Sequence, residues 1–269
     1  MKNLTNKVVV ITGAGSGIGR ALAVRSGAEN CRLALSDVNA DGLKETRELL
    51  NLDDERVATY LVDVSDVTAM EQFAGAVVEH YGQVDVVINN AGLTSVGLID
   101  EVPYETFERV INVNMWGVVY GCRVFMPYLK LQSESVLANV SSINGMVPFM
   151  SNGPYNMSKY AVYGLNETLM LELRDTSVQV LSIHPGGIST NIANNAINAD
   201  TTVREAFAKL ANTTPEQAAL AIVNAVKKKK RYLFIGRDAK FMQLVKRVSP
   251  RLALRFIVWL TARVLPSEN

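Results

Sequence analysis

Three polar side chains in the second half of the chain have the types and the spacing that proton transfer needs. Tyr155 and Lys159 lie four residues apart, so on a helix they share one face. A phenol normally has a pKa near ~10, but a nearby ammonium, or the positive ring of an oxidised nicotinamide, favours the phenolate. The tyrosine can then exchange a proton with an alcohol or a carbonyl near neutral pH. Ser142, thirteen residues before the tyrosine, can orient the substrate oxygen, and Ser141 is the alternative serine.

Asn114 is a further candidate, because a polar amide inside a long apolar helical pattern needs a reason. It either satisfies its own helix or holds a water that links Lys159 to bulk solvent. The two histidines, His80 and His184, form no cluster in the sequence. A metal site or a Ser-His-Asp triad is therefore not expected.

A glycine-rich turn near the start of the chain predicts a dinucleotide site. A buried-strand pattern over residues 7–12 runs directly into it, and a helical pattern follows. Glycines there allow a tight turn, close approach of the backbone to phosphates, and close packing of helix on strand. The helix N-terminus offers free N–H groups and a partial positive charge to the pyrophosphate. The residues expected to hold the cofactor here are Gly13, Ser16, Gly17, Ile18 and Gly19.

Asp37 ends the second predicted strand, 18 residues after Gly19. A carboxylate there accepts hydrogen bonds from both ribose hydroxyls of NAD and repels the 2′-phosphate of NADP. The alternative is an aspartate that caps the helix beginning near Ala40. Arg20 could attract a 2′-phosphate, but it falls just inside the first helix. The sequence therefore favours NAD over NADP.

Two further strand ends should border the same crevice. Asp63 and Val64 follow the third strand, at the edge expected to meet the adenine; the alternative is a turn or N-cap aspartate. The fourth strand ends in Asn89 and Asn90, whose amides can bridge neighbouring strand ends, and one of them should be structural. The small residues that follow, Ala91 and Gly92, allow close approach to the cofactor.

The elements that must position these residues alternate along the whole chain. Strands are predicted over residues 7–12, 32–36, 57–62, 84–89, 135–141, 178–184 and 231–235. Helices are predicted over residues 17–29, 40–50, 67–81, 104–129, 155–174 and 215–229. This alternation predicts a single Rossmann-like α/β domain: a doubly wound parallel sheet with helices on both faces and right-handed crossovers.

Length and composition agree with one globular unit. The chain has 269 residues, 48% of them apolar and 20% charged. Cys31 and Cys122 belong to no CxxC pair, so buried free thiols in a reducing compartment are expected. We find no secretory signal and no uncharged apolar run of about 18 residues, and we expect a cytoplasmic protein.

Charge is distributed unevenly. Residues 227–269 carry twelve Lys and Arg against two acidic residues, a net charge of +10, and the remainder carries −9. Residues 1–236 are predicted to form the catalytic domain, and residues 237–269 a cationic, apolar, helical extension. Apolar residues recur there at helical spacing: Phe241, Leu244, Val245, Val248, Leu252, Phe256, Trp259 and Leu260. The extension could pack on the body or on a sister subunit, lie on an anionic membrane as a peripheral contact, or cover a greasy substrate mouth.

Taken together, these motifs resemble the short-chain dehydrogenase/reductase family over roughly residues 4–236. The resemblance rests on residues 12–19 (TGAGSGIG), 89–92 (NNAG), 155–159 (YNMSK) and 185–190 (PGGIST), with Asn114 and Ser142. It implies a catalytic tetrad of Asn114, Ser142, Tyr155 and Lys159. It also implies cofactor contacts at Pro185, Gly186, Ile188 and Thr190, with the Thr190 hydroxyl and the Ile188 backbone holding the nicotinamide carboxamide. The family usually forms dimers or tetramers through its long helices, here near residues 104–129 and 155–174.

The expected substrate is a secondary alcohol or its ketone. Residues 143–154, which contain no Arg or Lys, and the loop 191–210 should wall the pocket. Their apolar members are Ile143, Pro148, Phe149, Met150, Ile192, Ile197 and Phe207. A fatty-chain, retinoid-like or steroid-like alcohol is our hypothesis. The rival enzyme is an NADPH-dependent carbonyl or acyl reductase, and the rival of another class is a catalytically silent cofactor-binding regulator or scaffold. No motif supports nucleic-acid binding.

Overall fold

The computed structural model describes residues 1–190, 192, 196–201, 204–205 and 211–264. Within them, seven strands form one sheet in the order β3-β2-β1-β4-β5-β6-β7, and every neighbouring pair is parallel. The strands are β1 Val8–Thr12, β2 Arg32–Asp37, β3 Val57–Leu61, β4 Val86–Asn89, β5 Ser135–Val140, β6 Val178–Pro185 and β7 Tyr232–Ile235. From β1 the chain first adds strands on one side, β2 and β3, and then crosses to the other side of β1 to add β4 to β7. This switch in strand order opens a crevice between the carboxyl ends of β1 and β4.

Helices cover both faces of this sheet. They are α1 Gly17–Ala28, α2 Ala40–Leu50, α3 Val67–Tyr81, α4 Tyr104–Ile111, α5 Gly117–Lys130, α6 Gly153–Glu172, α7 Pro215–Lys227, α8 Arg237–Val248 and α9 Pro250–Val264. Helices α1, α2 and α7 contribute to one apolar cluster, and α3, α5 and α6 to a second on the other face. The predicted doubly wound α/β fold is confirmed.

The inner strands of the sheet are covered on both faces, as β1 shows. All five residues of β1 are buried; Val9 and Ile11 pack with the first cluster, and Val8 and Val10 with the second. Each fully buried Val, Leu or Ile contributes roughly 1.5–3 kcal/mol through removal of apolar surface from water. A near-continuous apolar run of this kind is typical of a parallel strand between two helical layers.

The predicted helix over residues 104–129 is not regular throughout. A π-helical turn, Asn112–Trp116, separates α4 from α5. Such turns insert an extra residue into an α-helix and are frequent at functional sites. Hydrophobic periodicity does not distinguish this turn from an α-helix, so the sequence predicted a single element.

Two predicted boundaries also shift. The fourth strand begins at Val86 rather than at residue 84, and just before it the buried Asp85 carboxylate binds Lys7 Nζ at 2.8 Å and the Val8 N–H at 2.9 Å. Helix α6 begins at Gly153 rather than at Tyr155, and Pro154 occupies its first turn, where a missing N–H costs nothing.

The C-terminal helices pack on the body of the domain. A third apolar cluster joins them to the segment after β5 and comprises Ile143, Val147, Ala239, Met242, Ala253 and Ile257. The predicted C-terminal helical extension is therefore present, and it packs on the body of the domain. Among the described residues, we find no helix with the length and apolar character that a bilayer crossing demands.

Candidate active site

A cavity of about 610 Å³ lies at the carboxyl edge of the sheet, over the crevice between β1 and β4. Most of the residues singled out from the sequence line it: Gly13, Ser16, Gly17, Ile18, Asp37, Asp63, Val64, Asn90, Ala91, Gly92, Ser142, Tyr155, Lys159, Pro185, Gly186, Ile188 and Thr190. Gly19 and Asn114 do not line it, and each has a packing role described below. The tertiary structure thus brings the two predicted half-sites into one cavity.

The glycine turn is shaped so that its backbone faces the cavity. Gly13 and Gly17 have φ values of +67° and +53°, a conformation that side chains disfavour. A Cβ on Gly13 would stand 2.7 Å from the Ala91 Cα, and one on Gly19 would collide with the Gly13 carbonyl. Gly19 therefore allows α1 to pack closely on the turn rather than touching a ligand.

The start of α1 fits a pyrophosphate. Its first turn holds no acidic residue, and the N-cap Ser16 makes no side-chain capping bond. The first N–H groups of a helix have no partner within the helix, so they are available to an anion at this end. The Thr190 side chain lies next to this turn, 3.3 Å from where a Cβ on Gly17 would be, and it also lines the cavity. The residues present accordingly fit a dinucleotide laid across the crevice.

Asp37 holds the turns on either side of its strand end. Its carboxylate accepts the Gly15 N–H at 2.8 Å and the Asn39 N–H at 3.0 Å. The side chain of Asn39, not of Asp37, caps α2 by accepting the Gly42 N–H. The alternative interpretation of Asp37 as the helix cap is therefore wrong, and its carboxylate lines the cavity.

Arg20 is held away from the cavity by a set of local partners. Its guanidinium forms an ion pair with Glu45 at 2.6 Å and donates to the Thr46 hydroxyl at 3.1 Å. It also donates to the Gly15 carbonyl. Since these bonds direct the guanidinium toward α2, Arg20 is poorly placed to receive a 2′-phosphate.

At the ends of β3 and β4, Asp63 and Asn90 line the cavity and also form hydrogen bonds with nearby residues. Asp63 accepts from the N–H and the hydroxyl of Ser65, so the predicted turn aspartate is present at the cavity wall. Asn90 donates to the Thr12 and Gly13 carbonyls at 2.9 and 3.2 Å and thereby ties β4 to the glycine turn. Asn89 is buried in the core, as expected for one of the two asparagines.

Tyr155 and Lys159 share one face of α6 and both line the cavity. The ammonium lies 5.6 Å from the centre of the phenol ring and donates to the Val140 carbonyl at 2.9 Å. Burial lowers the pKa of Lys159 from 10.5 to about 8. Burial also raises the pKa of Tyr155, and hydrogen bonding with Ser142 opposes the rise. We expected the Lys159 ammonium to lower the pKa of Tyr155. In the protein without cofactor, burial outweighs any such effect and the pKa is raised.

Ser142 and Ser141 have different surroundings, and this separates the two candidates. The Ser142 hydroxyl accepts the Asn144 N–H at 3.1 Å and interacts with the Tyr155 side chain. The Ser141 hydroxyl donates to the Lys159 carbonyl at 2.8 Å and so belongs to the packing of β5 against α6. Both serines line the cavity, and of the two it is Ser142 whose hydroxyl acts on the Tyr155 phenol.

Asn114 lies in the π-helical turn and clamps three segments together. Its amide accepts the Leu93 N–H at 2.9 Å, donates to the Leu93 carbonyl at 2.8 Å, and donates to the Ser158 hydroxyl at 3.1 Å. A Cβ on Gly92 would lie 3.2 Å from Asn114 Oδ1 and 3.5 Å from Lys159 Nζ. The side chain is thus satisfied within the fold, and the water-holding role stays a prediction.

The expected substrate wall is only partly correct. Among the described residues, Ile192 and Ile197 line the cavity, whereas Pro148 and Met150 do not. Ile143 is buried in the cluster beneath the C-terminal helices, and Phe149 packs against that cluster. Phe207 lies outside the described residues. A helical turn after Ser142, Ile143–Gly145, directs this segment toward the C-terminal extension. The pattern of apolar and polar residues did not predict this turn.

Three residues at the site were not predicted. The Thr12 hydroxyl does not line the cavity but bonds two residues that do: it accepts the Asn90 and Ala91 N–H groups at 3.0 and 3.1 Å, and its place at the end of β1 could have identified it. Leu93 and Arg109 line the cavity itself. Arg109 is one turn before Val113, in the helical segment that leads to Asn114, whereas the predicted substrate wall comprised only residues 143–154 and 191–210.

The C-terminal extension reaches the cofactor side of the cavity as well. The Asp238 carboxylate, in the first turn of α8, accepts the Gly187 N–H at 2.7 Å. Any Cβ on Gly186 would collide with that carboxylate. The extension therefore supports the loop that follows β6.

The fold and site define a class of protein, and comparison with known proteins agrees. The chain belongs to the short chain dehydrogenase family, whose profile matches residues 7–201. SadH of Mycobacterium tuberculosis, named as an oxidoreductase, is 38% identical over 99% of each chain. The 2-(R)-hydroxypropyl-CoM dehydrogenase of Xanthobacter autotrophicus is 33% identical over 69% of this chain and 76% of its own.

A solved structure gives the same result. A short chain dehydrogenase/reductase from Burkholderia phymatum, crystallised in complex with NAD, superimposes with a TM-score of 0.87 and 28% identity. The superposition covers 94% of this chain and 96% of that one. The protein is an oxidoreductase of this family, and the resemblance drawn from its sequence motifs is confirmed.

Burial of the Lys159 ammonium predicts a pH effect on stability. The folded chain releases this proton near pH 8, while the unfolded chain holds it up to about 10.5. Between these values the unfolded state binds more protons, so stability rises with pH. Urea denaturation without cofactor should show wild type gaining up to roughly 3 kcal/mol relative to Lys159→Met over this interval.

Lys44→Met, which removes an exposed amine on α2, is the matched control and should run parallel to wild type. Parallel curves for Lys159→Met as well would contradict the burial of this charge.

Proposed function

We propose that this chain is an NAD-dependent dehydrogenase or reductase that interconverts a hydrophobic secondary alcohol and its ketone. The observation that carries the proposal is a single cavity lined at one end by the glycine turn and Asp37, and at the other by Ser142, Tyr155 and Lys159. The bound nicotinamide supplies or accepts the hydride. The side chains of this protein bind the cofactor, orient the substrate oxygen and move its proton.

The proton is handled by Tyr155. Because its pKa is raised, the phenol is protonated at neutral pH and can donate to a developing alkoxide during ketone reduction. In the oxidative direction the same oxygen accepts the proton of the alcohol. Ser142 lines the same cavity and lowers the pKa of the phenol, and its hydroxyl can hold the substrate oxygen next to Tyr155. Lys159, anchored on the Val140 carbonyl, keeps a positive charge beside the ring.

The contacts of Asp37 and Arg20 support NAD over NADP. The carboxylate lines the cavity at the end of β2, where a 2′-phosphate would meet a like charge. The Arg20 guanidinium, which could otherwise attract a 2′-phosphate, is bonded to Glu45 and Thr46. The Burkholderia phymatum structure was solved in complex with NAD.

The lining of the cavity supports a hydrophobic alcohol or ketone. Leu93, Val113, Ile192 and Ile197 present apolar surface, with Arg109 as an exposed cation among the lining residues. The Xanthobacter autotrophicus relative is named for a 2-hydroxypropyl group, which is a secondary alcohol. A panel of ketones with NADH, from charged keto acids to long-chain and polycyclic ketones, tests this. Turnover confined to small charged substrates would rule it out.

Tyr155→Phe should lower kcat by about 10²–10⁴-fold, since it removes only the acid–base hydroxyl. NAD affinity, measured by fluorescence titration, should change little. Tyr160→Phe is the matched control on the same helix; its hydroxyl bonds to the Met146 carbonyl, and its removal should leave kcat within about threefold of wild type. Survival of turnover in Tyr155→Phe would overturn the assigned mechanism.

Asp37→Asn should relax the cofactor preference while keeping an acceptor for the Gly15 N–H. Loss of the charge removes a repulsion worth about 1–4 kcal/mol at 4 Å, so the ratio of kcat/KM for NADH over NADPH should fall by at least about fivefold. Asp63→Asn, at the other lining carboxylate, should leave the ratio nearly unchanged. Wild-type preference for NADPH would instead favour the rival reductase.

We also propose that the C-terminal helices carry a contact with anionic lipid at the cytoplasmic side of a membrane. Their exposed surface combines large apolar side chains with cations. The apolar side chains include Phe241, Leu244, Val248, Leu252 and Val258, and the cations include Lys240, Arg247, Arg251 and Arg255. An apolar stripe flanked by Lys and Arg suits a surface of anionic headgroups. The buried free thiols of Cys31 and Cys122 suit the reducing cytoplasm.

Vesicle flotation tests the lipid contact. The full chain should float with vesicles containing phosphatidylserine and not with pure phosphatidylcholine, and added salt should weaken binding. Arg251→Glu with Arg255→Glu should abolish flotation, whereas Lys44→Glu on α2 should not.

The family's long helices, with Trp116 and Met157 exposed, are the proposed contacts between copies. If light scattering showed that only the arginine pair splits an oligomer, the extension would join copies instead.

A further inference from the structure

A line of buried polar side chains crosses the centre of the sheet and ends at the backbone of Ser142. Its members are each no more than 2% exposed: Asn89, Asn139, Asn166, Ser182 and His184. Strand register sets Asn89 opposite Asn139, and Asn139 opposite Ser182. Asn166 reaches the row from α6. Burial of polar side chains costs free energy unless each is hydrogen-bonded, so a continuous polar row beside the apolar cluster on this face needs a reason beyond packing.

The bonds along the line are short and continuous. Nδ2 of Asn89 donates to Asn139 Oδ1 at 2.7 Å, and Nδ2 of Asn139 donates to Asn166 Oδ1 at 2.7 Å. The amide of Asn166 donates to the Ser182 hydroxyl at 2.8 Å. The Ser182 oxygen lies 2.8 Å from His184 Nε2.

The last bond sets the protonation of the ring. Nδ1 of His184 lies 3.2 Å from the Ser142 carbonyl oxygen, which can only accept, so Nδ1 carries a hydrogen. Burial lowers the pKa of His184 to about 4, and the ring is neutral at physiological pH. Nε2 then accepts from the Ser182 hydroxyl, whose oxygen accepts from Asn166. Every bond in the line donates toward Ser142, an arrangement in which successive bonds strengthen one another.

The ring is also fixed by packing. Phe234 of β7 stacks on it with ring centres 5.0 Å apart, and Tyr163 of α6 meets it edge-on at 5.4 Å. His184 immediately precedes Pro185, which lines the cavity. The ring is therefore held between two aromatic side chains next to the candidate active site.

We propose that His184 is a positioning residue for the reaction: held as a neutral Nδ1–H donor by the polar line, it fixes the Ser142 carbonyl and so places the Ser142 hydroxyl beside Tyr155. The inference rests on the proposed function, because it concerns the placement of that serine. Displacement of a reacting group by about 1 Å can cost ~100-fold in rate.

Two substitutions separate positioning from packing. His184→Phe keeps an aromatic ring between Phe234 and Tyr163 but removes the donor. His184→Asn returns an amide N–H near the position of Nδ1. With the panel ketone of highest turnover, His184→Phe should lower kcat by about 100-fold and His184→Asn by less than about tenfold, with the NAD dissociation constant close to wild type. Both variants remove the acceptor of the buried Ser182 hydroxyl, so a shared loss of stability does not account for the difference between them.

A double-mutant cycle gives the decisive result. In a Ser142→Ala background His184→Phe should cost less than about threefold, because the hydroxyl it positions is already gone. An equal loss in both backgrounds would show that the histidine acts on the fold generally and would overturn the proposal.

Nitrogen-15 NMR of the His184 ring provides a test that needs no turnover. A hydrogen on Nδ1 at pH 7 is expected, and a ring protonated on Nε2 instead overturns the proposal. Failure of every panel ketone with wild type would count against the proposed function, while the NMR result would still decide the tautomer and its bond to Ser142.

Discussion

The hydrogen bond from the Lys159 ammonium to the Val140 carbonyl holds the candidate active site together. It joins α6, which carries Tyr155, to the end of β5, which leads directly into Ser142. A buried ammonium is costly unless it is hydrogen-bonded, so the position of the amine is tightly specified. The phenol and the serine, separated by a loop in the chain, are consequently held at a constant spacing. The Ser141 hydroxyl adds a second tie between the same two elements.

The cofactor half depends on a different constraint, which is steric. The glycine turn, the end of β4 and the start of α1 approach one another so closely that Cβ atoms are excluded at Gly13 and Gly19. Asn90 bonds the turn to β4, and Gly92 leaves room for both Asn114 and Lys159. Residues 90–92 therefore contact both halves of the site: Asn90 bonds the glycine turn of the cofactor half, and Gly92 packs against Asn114 and Lys159 of the catalytic half.

The C-terminal helices belong structurally to the site that they border. They bury Ile143 just after Ser142, and they bond Gly187 through Asp238. Both loops that flank the cavity are therefore braced by the same extension. Its outer surface remains apolar and cationic, so any contact made there lies one helical layer away from the loops of the site.

Much of this molecule follows from local signals. Repeated alternation of apolar runs with helical patterns determined the parallel fold, since strands buried on both faces must be apolar. The glycine positions, the Asp37 carboxylate and the four-residue spacing of Tyr155 and Lys159 could be recognised because each depends on neighbouring residues. Only the tertiary structure decided the rest. The π-helical turn at Asn114, the polar line through His184, the capture of Arg20 by Glu45 and the burial of Ile143 all depend on residues distant in sequence. Strand register and helix packing bring these groups together, and the hydrophobic periodicity of the sequence predicts neither of them.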